Sequence, residues 1–186
     1  MRKSLRSSEA IVLKKINLGD SDRIYTLLTR EYGKVTAAAK GVRKISSRRS
    51  GNLDSLNHIK VTFSESLSGF KSINEVETVN SFKNLKNSLD KIHVGYYFAE
   101  LVNKSVEEDL EKSDVFDLLK QFLEKLNADD AKLGFLVNKF EYLLMQVLGY
   151  EISLEKLKSF GKADLDRRLK SYVREAIGED FKSLKL

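Results

Sequence analysis

The sequence predicts an α+β protein, in which a small five-stranded β-barrel or sandwich is followed by an all-helical domain. Hydrophobic residues in the first eighty positions alternate with the two-residue period of strands, and later ones recur at the three- and four-residue steps of helices. The 186 residues are 41% hydrophobic and 32% charged, a balance typical of folded proteins. We expect a β domain over residues 1–80 and a helical domain over residues 81–186, packed rigidly together because no Pro/Gly-rich linker separates them.

Five segments of the first domain carry strand patterns. The clearest is 58–64, which places Ile59, Val61 and Phe63 on one face and polar side chains on the other. A turn is expected over residues 18–21, where Gly, Asp and Ser follow one another. The other four strands are expected at residues 9–16, 22–30, 34–42 and 71–79, the last with the weakest alternation.

Helical periodicity dominates the second domain. Residues 92–102 are apolar on nearly every side, which is typical of a central, buried helix. Amphipathic helices are expected from about residue 115 to 126, with Ser113 or Asp114 as N-cap, and from 133 to 148, with Gly149 as the stop. Two further helices are expected at 153–160 and 164–177, each followed by a glycine.

Several functional classes are excluded or disfavoured by composition. The absence of Cys excludes a disulfide scaffold, a zinc finger, an iron–sulfur cluster and a thiol nucleophile. His58 and His93 stand alone in a strand and a helix pattern, where a histidine is usually structural. No glycine-rich phosphate loop and no GxSxG motif is present, and the acidic runs 107–109 and 129–130 are expected to cap helices. We therefore expect no enzyme activity, no cofactor and no bound metal.

The location is expected to be cytoplasmic. No apolar run approaches the ~18 residues that a membrane span needs. The apolar stretch that follows the basic N-terminal residues, 10–13, is too short for the core of a signal peptide.

The excess of positive charge lies in the β domain. Residues 1–80 contain 15 Lys and Arg against 8 Asp and Glu, whereas residues 81–186 contain 18 against 19. Five cations and three serines fall within residues 40–51, a segment called the basic loop below. A basic loop between strands of a small barrel predicts an electrostatic clamp for a nucleic-acid backbone. The alternative is that these cations form only a solvated basic surface. For Tyr25 and Tyr32 the sequence allows two roles, stacking on bases or packing in the core.

Four segments of the β domain resemble a known family. EAIVLK at 9–14, LGDSDR at 18–23, LTREYGK at 28–34 and AKGVR at 39–43 resemble, in order and spacing, the opening of the bacterial recombination mediator RecO. The resemblance extends into the helical half and the tail, at 168–169 and 182–185.

The resemblance implies an OB-fold barrel followed by a helical domain, and a non-enzymatic role in DNA repair. It implies binding of single- and double-stranded DNA, annealing of complementary strands and association with the nucleoid. The partners it implies are RecR, the acidic tail of single-stranded-DNA-binding protein and, indirectly, the RecA recombinase. By position in the matched segments, the basic DNA-binding surface falls on Lys34, Lys40, Arg43, Lys44, Arg48 and Arg49.

One departure from this family concerns metal binding. Many members carry a four-cysteine zinc module after a segment that resembles residues 148–150, and this chain has no Cys there or elsewhere. Functions that depend on that module are therefore in doubt, whereas binding of DNA by the barrel is not.

Two other classes remain open from the residues alone. One is an RNA-binding barrel protein associated with the ribosome or with tRNA. The other is a protein-interaction module in which the basic loop is incidental.

Overall fold

The predicted α+β architecture is confirmed in a computed structural model, which describes residues 4–45, 47, 49–150 and 162–178. The five strands close into a barrel in the order β1-β2-β3-β5-β4, with β3 and β5 parallel and the other neighbours antiparallel. This is the Greek-key barrel of an OB-fold. The strands are β1 Ser4–Leu18, β2 Asp22–Thr29, β3 Gly33–Ala39, β4 His58–Glu65 and β5 Lys71–Asn80.

Strand β1 closes the barrel because it pairs on both of its edges. Its residues 4–11 pair with β4 and its residues 10–18 pair with β2. The register of β1 shifts between Val12 and Lys14, just after the point where its pairing with β4 ends. Bulges of this kind bend a strand and increase its twist, so one long strand can serve both halves of a small barrel.

The β3–β5 seam is the weakest part of the barrel wall. Ala38 and Ser72 are the paired positions recorded between these two strands. The earlier part of β3 pairs instead with residues 107–111, called the acidic strap below, through a bridge between Lys34 and Glu108. A segment that leaves the helical half therefore completes the wall of the barrel.

Two hydrophobic cores share strand β1. Ala10 and Val12 point into the barrel, where they meet residues such as Tyr25 and Phe63. Ile11 and Leu13 point the other way and pack with the helices. Successive side chains on a strand alternate between faces, so the run 10–13 is apolar because both faces of β1 are covered there.

Of the five helices within the described residues, four match predicted ones, and a short helix before them was not predicted. The predicted helix at 153–160 lies outside the described residues. The helices are α1 Lys83–Lys86, α2 Leu89–Ser105, α3 Ser113–Asn127, α4 Leu133–Val147 and α5 Lys162–Ile177.

The ends of two helices test the predicted capping residues. Helix α3 has Lys112 at its cap position with no side-chain cap, so the prediction of Ser113 or Asp114 as N-cap was wrong. The stop at Gly149 is confirmed, because this residue has φ +89° and its N–H bonds the carbonyl of Gln146 at 3.0 Å. The N–H of Tyr150 then reaches back to the carbonyl of Met145 at 2.9 Å, which completes a Schellman motif.

Helix α2 lies at the centre of the helical half. Phe98 stacks on Phe140 of α4, with ring centroids 4.0 Å apart, and meets Phe122 of α3 edge-on at 5.9 Å. All three rings are fully buried. Since this core also contains Ile11 and Leu28 of the barrel, the barrel and the helices pack as one body.

Candidate nucleic-acid interface

The basic loop begins where β3 ends and is fastened at both of its ends. Val42, near its start, and Leu53, just after its end, are fully buried in the barrel core. Between them, turn hydrogen bonds run from Lys44 N–H to the Gly41 carbonyl at 3.2 Å and from Ser47 N–H to the Lys44 carbonyl at 2.9 Å. The described part of the loop is therefore folded back on the end of the barrel, and its backbone holds Lys40, Arg43 and Lys44 there.

The turn between β1 and β2 supports the first part of this loop. Arg43 donates its backbone N–H to the Ser21 carbonyl at 2.9 Å and its guanidinium to the Gly19 carbonyl at 2.8 Å. The Asp22 carboxylate accepts the N–H of Gly41 at 2.7 Å. Two turns distant in sequence are thereby joined at one end of the barrel.

Asp22 stays ionised in this arrangement. The hydrogen bond from the Gly41 backbone, followed by the one from the Ser21 hydroxyl, holds the pKa of its carboxyl below the ordinary value of 3.8. Lys40 and Lys44 lower this pKa further through their charge. At neutral pH the carboxylate thus attracts both ammonium groups to the same end of the barrel.

Arg49 braces the loop from the other side. Its guanidinium donates to the Ile73 carbonyl of β5 at 2.9 Å and to the Lys40 carbonyl at 2.7 Å. The side chain is half-buried. Because an Arg carries five N–H donors, these two bonds leave further donors for an external acceptor.

The six predicted binding residues fall into different positions in the structure. Lys40, Arg43 and Lys44 are exposed together at the loop end of the barrel, and Arg49 lies beneath them as a brace. Lys34 lies elsewhere: it is half-buried and its Nζ donates to the Asn103 carbonyl at 2.7 Å, in the last turn of α2. Arg48 lies outside the described residues.

Sequence reasoning missed several side chains around the exposed cations. Ile45 is fully exposed beside Lys44, and Ile16 and Leu18 of β1 are about half exposed, at 50% and 45%. Arg23 is paired with Ala39 across β2 and β3, which places it at the same end of the barrel. The two-residue spacing of Lys14, Ile16 and Leu18 could have indicated that they share the outward face of β1, because alternate residues of a strand lie on the same face.

The two tyrosines considered for base stacking are packed in the structure. Tyr25 is fully buried inside the barrel, so its ring is not available to a base. Tyr32 is half-buried, meets the Phe63 ring edge-on at 5.7 Å and lies under the Arg6 guanidinium at 5.2 Å.

The acidic run expected to cap a helix has a different role. In the acidic strap, the N–H of Asp109 bonds the Lys34 carbonyl at 2.9 Å, and Glu108 accepts the Thr36 hydroxyl at 2.6 Å. The Asp109 carboxylate also accepts Lys71 Nζ at 2.9 Å. These carboxylates fasten the strap to the barrel, which corrects the expectation of helix capping at this run.

His58 is packed in the interior as a structural residue. His58 is buried between Glu9, 3.0 Å from its Nε2, and the ring of Phe116 at 5.8 Å. Burial lowers the pKa of His58 below 6.5 and outweighs the opposing effect of Glu9. No group of three or more His, Cys, Asp or Glu side chains suited to a metal occurs within the described part of the chain. Nor does that part contain a helix long and apolar enough to cross a bilayer.

Comparison with known proteins matches both halves of the chain to the models of one family. Residues 1–82 match Recombination protein O N terminal, and residues 86–180 match Recombination protein O C terminal. The DNA repair protein RecO of Roseiflexus sp. (strain RS-1) is 30% identical over 161 residues, covering 87% of this chain and 56% of the relative. That of Thermoanaerobacter sp. (strain X514) is 30% identical over 160 residues, covering 86% and 64%. The chain thus spans between about half and two thirds of the length of these relatives.

Proposed function

The chain belongs to the Recombination protein O (RecO) family, and on this premise we propose that it is a DNA-binding protein of repair and recombination. In this proposal it is not an enzyme: it binds and anneals single strands and helps to load a recombinase onto DNA coated with single-stranded-DNA-binding protein. Residues 1–80 are the nucleic-acid-binding domain and residues 81–186 the helical domain. Its partners are single- and double-stranded DNA, RecR, the acidic tail of the coating protein and, indirectly, RecA, in the cytoplasm at the nucleoid.

The observation that supports DNA binding best is the cluster of exposed cations on the fastened loop. Lys40, Arg43 and Lys44 face solvent at one end of the barrel. Their loop is held by hydrogen bonds to the β1–β2 turn, so little backbone ordering remains to oppose binding. Cations arranged in this way bind phosphates and do not read sequence.

Annealing follows from the same chemistry. Two complementary strands repel each other through their phosphates, and bound cations lower that repulsion. An exposed Ile45 beside the cations adds an apolar contact for a base without selecting which base it is. A protein that binds the phosphates of a strand and not its base edges leaves those edges free to pair with a second strand.

The test is a triple variant, Lys40→Ala, Arg43→Ala and Lys44→Ala, compared with wild type in binding to a labelled oligothymidylate across a salt series. Each lost phosphate contact flattens the dependence of log affinity on log salt by ~0.7, so three lost contacts flatten it by about 2. The matched control is the triple variant of Lys60, Lys132 and Lys139 to Ala. These lysines are exposed elsewhere, and the net charge of the two variants is equal. Equal binding by the two variants would contradict the proposal.

A second measurement separates the proposed function from the alternatives. Annealing of complementary strands coated with single-stranded-DNA-binding protein should be fast with wild type and slow with the loop variant. A strong preference for RNA over DNA of equal length would favour an RNA-binding barrel instead. An absence of polyanion binding at physiological salt would favour a protein-interaction module.

A further inference from the structure

An open pocket lined by polar and charged residues lies between the end of the basic loop and helix α1. Its volume is about 290 Å³. Its walls include Gly51, the last residue of the loop, together with Asp54, Asn57, Lys83, Lys86 and Asn87. We call it the junction pocket, because barrel and helical residues both line it.

The charges around the junction pocket do not cancel. The Asp54 carboxylate accepts Lys15 Nζ at 2.6 Å and Lys86 Nζ at 3.1 Å. Burial raises the pKa of Asp54, but the hydrogen bonds from the two lysines outweigh it and hold the pKa below 3.8. Lys83 is exposed and forms no recorded ion pair with any described residue. Two ammonium groups thus contact the Asp54 carboxylate, and Lys83 adds a third cation to the pocket wall.

The neutral groups of the pocket are already ordered. Asn57 donates its side-chain amide to the carbonyls of Gly51 at 3.3 Å and Asn52 at 2.9 Å. Its oxygen accepts Lys86 Nζ at 2.5 Å, which fixes that ammonium group at the wall. The pocket is therefore a preformed, cationic cavity with one cation, Lys83, in reach of an incoming anion.

We propose that the junction pocket binds a phosphate group of the DNA strand held by the basic loop. This inference rests on the proposed function and extends it. Gly51 belongs both to the loop and to the pocket wall, and it follows Arg49 by two residues, so the loop that carries the cations ends at the pocket. A strand on this path passes from the barrel to helix α1 and so reaches the helical half.

Asp54 has a defined part in this proposal. It forms ion pairs with both Lys15 and Lys86 while the pocket is empty. A phosphate that enters the pocket would contact the same two ammonium groups and, in addition, Lys83. Removal of the carboxylate charge leaves those ammonium groups to the phosphate. Asp54→Asn and Lys83→Ala are therefore expected to act in opposite directions.

The experiment measures oligothymidylate binding by the full chain across a salt series. Lys83→Ala should weaken binding about fivefold at 0.1 M salt and flatten the salt slope by ~0.7, the effect of one phosphate contact. Asp54→Asn should strengthen binding and steepen that slope. The controls Lys132→Ala and Asp130→Asn make the same charge changes at exposed positions. Lys83→Ala tests the pocket even where Asp54→Asn perturbs folding, because Lys83 is at the surface.

A direct measurement of the pocket accompanies the binding series. In amide NMR spectra, the signals of Gly51 and Asn87 should shift on titration with oligothymidylate, and the shifts should be lost in Lys83→Ala. Shifts produced by an acidic peptide but not by the oligonucleotide would overturn the proposal in favour of a peptide site.

The outcomes distinguish the two proposals. If the loop variant weakens binding while Lys83→Ala and Asp54→Asn match their controls, the phosphate site is wrong and the proposed function stands. If the loop variant binds as its control does, the proposed function is contradicted. In that case an absence of oligothymidylate shifts at Gly51 and Asn87 overturns the phosphate site as well.

Discussion

Gly33→Ala is expected to destabilise the protein severely through the contact between the barrel and the acidic strap. Gly33 has φ +65°, in the left-handed region. A Cβ built there would lie 1.8 Å from the carbonyl oxygen of Leu110 and 2.5 Å from its carbonyl carbon. Backbone atoms cannot be moved aside as a flexible side chain can, so the strap must leave its place on β3.

The expected cost has two parts. A non-glycine residue in the left-handed region costs ~1–2 kcal/mol. Displacement of the strap breaks its bonds to Lys34, Thr36 and Lys71, at 2.9, 2.6 and 2.9 Å. At ~1 kcal/mol for a typical bond, and less for those open to solvent, they add about 2 kcal/mol. The total is therefore about 3–4 kcal/mol.

Gly19→Ala is the matched control. Gly19 has φ +57° but no atom within 4 Å of an added Cβ, so it carries the backbone strain without the collision. Urea unfolding followed by far-UV circular dichroism should place Gly33→Ala about 2 kcal/mol below Gly19→Ala, or ~1 M in midpoint for a slope of ~2 kcal/mol/M. Stabilities within ~0.5 kcal/mol of each other would refute the close contact of strap and barrel.

Three further predictions concern buried side chains. Phe98→Ala should lower the free energy of unfolding by ~3–5 kcal/mol in the same urea assay, because its ring stacks on Phe140 in a closed core. Tyr25→Phe should leave stability unchanged or raise it by ~1 kcal/mol, since the buried hydroxyl has no hydrogen-bond partner among the described residues, and a loss above ~1 kcal/mol would contradict this. The pKa of His58 lies below 6.5 in the folded protein, so the unfolded chain binds this proton at a higher pH. The free energy of unfolding should therefore fall as the pH drops below about 6.5, and His58→Gln should reduce that fall.

Much of the barrel could be predicted because the residues of each strand themselves carry a pattern typical of strands. Strand composition located β1 and β2, and alternation located β3 and, most clearly, β4, whose Ile59, Val61 and Phe63 the structure buries. Strand β5 was expected despite poor alternation. The apolar run 10–13 was placed within the predicted strand 9–16, but its lack of alternation was not interpreted. Its meaning as a strand covered on both faces depended on helices far away in sequence.

The parts that were missed depend on contacts between distant segments. The acidic strap pairs with β3 across more than seventy positions, and nothing in the sequence near Glu108 indicates that partner. Helix α1 has four residues, too few to show a period. Lys34 was grouped with the DNA-binding cations because its charge and its position in a matched segment are evident from the sequence. Its contact with the Asn103 carbonyl is evident only from the structure.

The contrast between the two ends of strand β3 bears on how DNA would lie on the barrel. The start of β3 is covered by the acidic strap, whose Glu107, Glu108, Asp109 and Glu111 are exposed, and its end leads into the basic loop at Lys40. The strand has seven residues, so its ends are ~20 Å apart at ~3.3 Å per residue. At physiological salt the Debye length is ~8 Å, so the carboxylates at one end do not cancel the cations at the other.

A DNA strand would therefore meet attraction at the loop end and repulsion at the strap end. Like charges brought together oppose binding and help to fix the orientation of a ligand. On the proposed function, the DNA is expected to cross the loop end of the barrel and continue toward the junction pocket, and not to run along β3. Replacement of Glu107 and Glu111 by their amides keeps the strap bonds of Glu108 and Asp109. It should leave the salt slope of the loop contacts unchanged while weakening the preference for this path, which cross-linking of DNA from Lys40 and from the strap would measure.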